Sequence, residues 1–171
     1  RLDAFAMREP AVRFDSGYAA GCAVSPYYDP MLAKAIVHAT TRAEAAAVLA
    51  RGLRTMDARG LVTNRDCLVA ILGSAAFGAG ETGTDFLDTA FRVAREVAPP
   101  GTLLFINDFN STIPNKRQCL FNVTSALLAR GVPVDGVGHQ MHDNFEFPSA
   151  QSMADTLDLF AGLGVTQHVT E

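Results

Sequence analysis

"ARGVPVDGVGHQMH" (129–142) decides the fold. Gly131 stops a helix, and "VPVDGVGHQ" (132–140) follows as an apolar, β-rich run that closes on Gln140 and His142. Near-continuous apolar runs of this length fit parallel strands covered on both faces. About one βαβ unit upstream, "TLLFIND" (102–108) ends on Asn107 and Asp108, with Asn110 two residues further on. Downstream, "GVTQHVTE" (164–171) ends on Glu171. Three successive predicted strands thus leave the core through amides, carboxylates and an imidazole. In parallel α/β folds ligands sit at the carboxyl ends of the strands, so these residues are expected on one rim. Alternation along a strand predicts that Gln140 and His142 share a side, as do Gln167, Val169 and Glu171.

Helices are expected between the strands. Thr41 with Glu44 forms a capping box ahead of Val48, Leu49, Leu53 and Met56, and Gly60 follows as the stop. Leu87, Ala90, Phe91, Ala94 and Val97 share one helical face. Pro114 suits a helix start, Leu120, Val123, Leu127 and Leu128 form its stripe, and Ser149 caps a last helix carrying Met153, Leu157 and Phe160. "GLVTNRDCLVAIL" (60–72) reads as a further strand, so residues 60–171 are expected to run β-α-β-α-β-α-β. Nearer the start, "GYAAGCAV" (17–24) reads as a strand and "YYDPMLAKAIVHA" (27–39) as a short helix. With no evident linker, one domain over residues 1–171 is expected.

The chain carries 14 Lys and Arg against 18 Asp and Glu, and this net charge of -4 offers no electrostatic footprint for nucleic acid. No apolar run approaches the roughly 20 residues that cross a bilayer, so no membrane partner is expected. Cys22, Cys67 and Cys119 are widely spaced and form no CxxC, which predicts neither a metal site nor a redox pair. "NST" (110–112) and "NVT" (122–124) fit the glycosylation sequon, a pattern that also occurs by chance.

"LLFINDFN", "ARGVPVDGVGHQMH", "FPSA" and "GVTQHVTE", in that order, resemble the second half of a family 10 glycoside hydrolase, a retaining endo-β-1,4-xylanase built as a (β/α)₈ barrel. The family patterns are roughly Y-x-N-D-Y-N, R-G-x-P-I-D-G-I-G-x-Q-x-H and I-T-E-L-D, and the likeness runs over residues 84–171. "GYAAGCAVSPYYDP" (17–30) resembles the family's first strand more weakly. The resemblance implies an α/β fold, a partial or incomplete (β/α)₈ TIM-type barrel with parallel strands. It implies Glu171 as the nucleophilic carboxylate and His142 as the imidazole that orients it. Gln140, Asn107, Asp108 and Asn110 would support the substrate around them. No cofactor or metal is implied. The implied partner is a xylan-like polysaccharide or oligosaccharide, and the implied location is extracellular.

Retaining glycosidases need a second carboxyl group about 5–5.5 Å from the first, as acid/base. In the family this group closes W-D-x-x-N-E on the fourth strand. "RDCLVA" (65–70) is the expected counterpart, with Arg65 for the Trp, Asp66 kept, Val69 for the Asn and Ala70 for the Glu. Alanine donates no proton. The second and third strand motifs lack clear counterparts, His38 being a possible remnant of one, and the chain has no Trp to wall a sugar cleft. An impaired xylanase is therefore expected. The alternatives are a non-catalytic carbohydrate-binding remnant and an unrelated open α/β domain that binds a small molecule.

Overall fold

The computed structural model describes residues 1–25, 27, 31–83, 85–142 and 147–170. Where one domain is expected, the chain forms two compact units, Arg1–Phe86 and Leu87–Glu171.

The first unit holds β1 (Ala4–Ala6), β2 (Arg13–Ser16), β3 (Ala33–Ile36), α1 (Arg42–Thr55), β4 (Asp57–Arg59), α2 (Arg65–Leu72) and α3 (Ala75–Ala79). β1 pairs antiparallel with β4, and β2 antiparallel with β3. The predicted capping box is formed: the Glu44 amide donates to Thr41 Oγ1 at 3.2 Å and the Thr41 amide to Glu44 Oε2 at 3.2 Å. Two orphan amides of α1 are satisfied in this way. Gly60 ends β4 at φ 97°, and a Cβ there would meet the carbonyl of Arg1 and, at 2.7 Å, the amide of Asp3. Only glycine lets the two backbones approach so closely.

Three expectations fail in this unit. The region 60–72 is no strand: Arg65–Leu72 is helix α2. A short apolar run such as "CLVAIL" fits a buried strand and a helix equally by pattern. Ala33–Ile36, read as helical, is a strand, because its partner Arg13–Ser16 supplies the pairing that local propensity does not announce. The described residues of 17–24 are turn and coil, and Pro26, Tyr28, Asp29 and Pro30 of the adjoining stretch lie outside the described residues.

The second unit holds α4 (Phe86–Val97, beginning one residue before the boundary), β5 (Phe105–Phe109), α5 (Pro114–Ala129), β6 (Gly136–Gln140), α6 (Ala150–Ala161) and β7 (Thr166–Val169). All three strands are parallel, in the order β5-β6-β7. The predicted helices and the last three predicted strands are therefore present, each strand trimmed at its ends. Pro114 opens α5, and Ser149 Oγ accepts the Ser152 amide at 3.1 Å to cap α6.

Two apolar clusters cover one face of this sheet. Phe91 of α4 packs with Leu127, Val132 and Val134, flanked by Leu87, Leu104 and Ile106. Leu120, Val137 and Phe160 form the other, flanked by Ile106, Phe121, Leu159 and Val165. Asp135, just ahead of β6, aligns the strand starts. Its Oδ2 accepts the Leu104 amide at 2.7 Å and also the Arg95 guanidinium from α4. Asp88 and Arg130 join α4 to the end of α5 through bonds of 2.6 and 2.8 Å. That pair depresses the Asp88 carboxyl, chiefly through the Arg130 hydrogen bond.

Candidate functional site

The strand register divides the residues of the second unit between two faces. Ile106 pairs with Val137 and Val137 with Gln167; the next row on that face is Asp108, His139 and Val169. This is the face that packs on α5 and α6, since Val137 and Ile106 join the Leu120–Phe160 cluster. The opposite face carries Phe105, Gly136 and Thr166, then Asn107, Gly138 and His168, then Phe109 and Gln140. No helix of this unit covers Asn107, His168 or Thr170, which are exposed.

The two glycines of "GVG" shape that open face. The Phe105 ring lies where a Cβ on Gly136 would stand, and it stacks on His168 with ring centroids 4.7 Å apart. At Gly138 a Cβ would come within 2.5 Å of Asn107 Oδ1 and 3.1 Å of Thr170 Cγ2. With glycine there, the Thr170 hydroxyl donates to Asn107 Oδ1 at 3.0 Å, so β5 and β7 touch across β6. An exposed floor of one aromatic ring, one imidazole, an amide and a hydroxyl results, flanked by half-buried Gln140.

The strand ends then leave the sheet abruptly. Asn110 follows β5 at φ 53° and His142 follows β6 at φ 48°. Asn and His are among the residues that tolerate this left-handed region. The Asn110 amide donates to the Gln140 carbonyl at 2.7 Å, and Ile113 donates to the Asn110 carbonyl at 3.0 Å. β6 stops at Gln140, buried Met141 follows, and exposed His142 takes a positive φ, so strand alternation by itself does not set the side that His142 takes.

Asp108 stands apart from the other predicted site residues. It lies on the helix face, where it bridges Lys116 of α5 at 2.8 Å and accepts the Phe109 amide at 2.9 Å. Lys116 also lies 4.3 Å over the Phe109 ring. These contacts give Asp108 a structural task at the start of α5. Glu171 lies outside the described residues. β7 ends at Val169, and the Thr170 amide makes a last bond to the His139 carbonyl at 3.0 Å.

His139 was not singled out in the sequence, yet it is fully buried on the helix face. Its Nε2 lies 3.1 Å from Gln167 Oε1, and Gln167 Nε2 donates to the Leu157 carbonyl of α6 at 2.9 Å. The amide's donor end is therefore committed to Leu157, which assigns Nε2–H to the imidazole and leaves Nδ1 as a buried lone pair. Phe160 meets the ring edge-on at 4.9 Å. Burial pushes the His139 pKa down, opposed by the Gln167 bond. The folded state thus holds the imidazole neutral, while the unfolded chain takes up a proton near the ordinary value of about 6.5. Its contribution to stability is present above that value and is lost as pH falls through it. Urea midpoints of the second unit are expected to be lower at pH 5 than at pH 7.5, and the dependence is expected to flatten in His139→Phe.

The first unit has an apolar cleft of about 780 Å³, walled by Phe5, Phe14, Leu53, Leu68 and Phe77. Arg65 is its charged lining residue, and it is ion-paired with Asp66 at 3.1 Å. Its lining, among the described residues, holds no carboxylate, imidazole or thiol. Among the described residues no cluster of His, Cys, Asp and Glu could hold a metal ion, and no helix is long and apolar enough to cross a membrane.

Comparison with known proteins divides the chain in a similar way. The model of glycosyl hydrolase family 10 matches residues 73–171. The model of the biotin carboxylase C-terminal domain matches residues 1–89. An endo-1,4-beta-xylanase A of Halalkalibacterium halodurans is 42% identical over 90 residues, which is 53% of this chain and 23% of that protein. Among solved structures, xylanase XynB of Paenibacillus barcinonensis, complexed with a conduramine derivative, superposes with a TM-score of 0.54 at 27% identity, covering 77% of this chain and 42% of that one. A Thermobacillus composti GH10 xylanase gives 0.52 at 29% identity, covering 73% and 40%. The chain spans about a quarter of the length of the curated relatives it matches. These likenesses identify the parallel strands as part of a (β/α)₈ barrel. They also revise the reading of the first half. "RDCLVA" (65–70) and "GYAAGCAVSPYYDP" (17–30) precede the glycosyl hydrolase match and lie within the biotin carboxylase match. Each match spans more than half of the 171 residues, so the chain belongs to glycosyl hydrolase family 10 through residues 73–171 and carries a biotin carboxylase C-terminal domain over residues 1–89.

Proposed function

We propose that the second unit keeps the nucleophile side of a retaining site for xylan-like saccharides, without its acid/base partner. Glu171 is the nucleophile and His142 its orienting donor. Gln140, Asn107 and Asn110 hold sugar hydroxyls or the loops around them. The observation that carries this reading is the join of three strand ends, Thr170 to Asn107 and Asn110 to Gln140. It sets the residue before Glu171 on the same open face as the amides. Phe105 stacked on His168 offers an apolar surface of the kind a sugar ring packs on.

A nucleophile of this kind forms a glycosyl–enzyme bond as the leaving oxygen departs. With xylan, that oxygen needs a proton from a general acid. The residues that match the family, 73–171, begin after "RDCLVA" (65–70), and Ala70 on α2 has no proton to give in any case. With an aryl leaving group of low pKa, no proton is needed. The chain is therefore expected to release dinitrophenolate from a dinitrophenyl xylobioside, and Glu171→Gln is expected not to. Equal release by the two would remove the assignment of Glu171.

A second reading, a carbohydrate-binding remnant with no turnover, is favoured by the absence of tryptophan to wall a sugar cleft. It predicts saccharide binding by titration without phenolate release.

Ala70→Glu is expected to leave xylan hydrolysis at the level of the Glu171→Gln control in a reducing-sugar assay. A general acid acts only within hydrogen-bond reach of the leaving oxygen, with a supported rotamer. Helix α2 offers Asp66 and Arg65 paired with each other and no strand-end scaffold. Sugar release above the control would restore Ala70 to the catalytic position.

A further inference from the structure

We propose that His139 and Gln167 are a positioning pair that sets the carboxyl end of β7, and through it the aim of Glu171. The inference deepens the function proposed above and rests on it. Neither residue falls on a specified position of the family patterns: His139 stands at the open position of G-x-Q-x-H, and Gln167 precedes the stretch that matches I-T-E-L-D.

Gln167 and Val169 lie on the helix face, while Asn107, Gln140 and His168 lie on the open face. β7 ends at Val169, and Thr170 is the last described residue before Glu171, so Thr170 is the position that has to be fixed.

Two sets of bonds fix it. On the open face, Thr170 Oγ1 donates to Asn107 Oδ1 at 3.0 Å. On the other side, the Thr170 amide donates to the His139 carbonyl at 3.0 Å, so the height of Thr170 follows the height of His139. His139 is itself locked. Its ring donates to Gln167 at 3.1 Å, Gln167 donates to Leu157 of α6 at 2.9 Å, and Phe160 meets the ring edge. One residue of β6, one of β7 and one turn of α6 are thereby tied at the level where β7 ends. A ring and an amide with committed donors hold a register more narrowly than two aliphatic side chains, because hydrogen bonds are directional.

The pair works only while the imidazole is neutral. Protonation places a second N–H at the buried Nδ1, which has no acceptor among the described residues. Charged groups on the elements packed against it offer little relief. Asp108 of β5 is engaged by Lys116 of α5, Arg117 of α5 reaches Thr156 and the Ser152 carbonyl, and Asp155 and Asp158 of α6 are exposed. Burial, which pushes the His139 pKa down, agrees with a ring kept neutral.

The test uses the full chain and three variants: His139→Phe, Gln167→Leu and His139→Gln. The last keeps an N–H toward Gln167 Oε1. The labelling rate of Glu171 by a 2-fluoro dinitrophenyl xylobioside is followed by intact mass over a range of reagent concentrations. The half-saturating concentration is expected to stay within twofold in all variants. The limiting labelling rate is expected to fall at least tenfold in His139→Phe and Gln167→Leu, and to recover to within threefold in His139→Gln. Hydrogen exchange of the Thr170 amide, read by NMR on the same samples, is expected to accelerate at least tenfold in the first two variants relative to the Val137 amide. That readout does not need Glu171 to react. Accelerated Thr170 exchange with no labelling in any sample would sustain the positioning pair and overturn the nucleophile assignment. Unchanged Thr170 exchange in both His139→Phe and Gln167→Leu would overturn the positioning pair, whatever the labelling.

Discussion

Phe160→Ala destabilises the second unit by about 4 kcal/mol, within the range for emptying a fully buried aromatic site. Phe160 has no exposed surface and belongs to the cluster with Leu120 and Val137. It meets the Phe121 ring edge-on at 5.5 Å and the His139 ring at 4.9 Å. Its removal opens a cavity between α6 and the sheet, directly behind the His139–Gln167 pair. Neighbours collapse only partly into such a space, so the lost contacts add to the lost burial. Hydrogen exchange of the β6 amides at neutral pH reads the change. Protection is expected to fall by a factor of about 10³, the equivalent of that free energy. A loss below about 1.5 kcal/mol would mean that the sheet and α6 are held by something other than this cluster.

The second large effect is chemical. Positioned proton transfer contributes typically 10²–10⁴-fold to a reaction that needs it. A substrate that departs as a stable phenolate forgoes that contribution, whereas xylan does not. The ratio of aryl xylobioside cleavage to xylan cleavage is therefore expected to exceed that of an intact xylanase by about 10²–10⁴. The glycosyl–enzyme bond, once formed, is also expected to persist, because the site as proposed has no group to activate water. A burst of about one phenolate per chain followed by a slow phase is the kinetic signature. A ratio like that of an intact xylanase would show that an acid/base is supplied after all.

The parallel sheet was legible because each of its strands is an apolar run bounded by turn residues and separated from the next by a capped amphipathic helix. Thr41, Pro114 and Ser149 act through contacts only a few residues long, so a linear reading finds them. The first unit was not legible in the same way. Its strands are three or four residues long and pair across long separations, Ala4 with Arg59 for instance. Nothing local distinguishes Ala33–Ile36 from a helix until Arg13–Ser16 is beside it. Arg65–Leu72 reads as a strand in the sequence because its apolar run satisfies either period, and it folds as a helix. At the site, Asn107, Asn110 and Gln140 are legible as polar residues at or just after strand ends. Asp108 reads the same way in the sequence, but alternation turns it toward Lys116 on the helix face. Thr170 and His139 were missed because their partners, Asn107 and Gln167, come from other strands. The signal for the first was present in "GVG", since a glycine in a strand marks a place where neighbours close over the backbone.

The central claim is that Glu171 is a competent nucleophile without a partner acid. Intact-mass spectrometry of the chain after incubation with a 2-fluoro dinitrophenyl xylobioside tests it most directly, followed by peptide mapping of the label. The account predicts one added fluoroxylobiosyl group per chain, located on Glu171, lost in Glu171→Gln and slow to hydrolyse. A label on any other residue, or none on a chain whose β6 amides are fully protected, would contradict it.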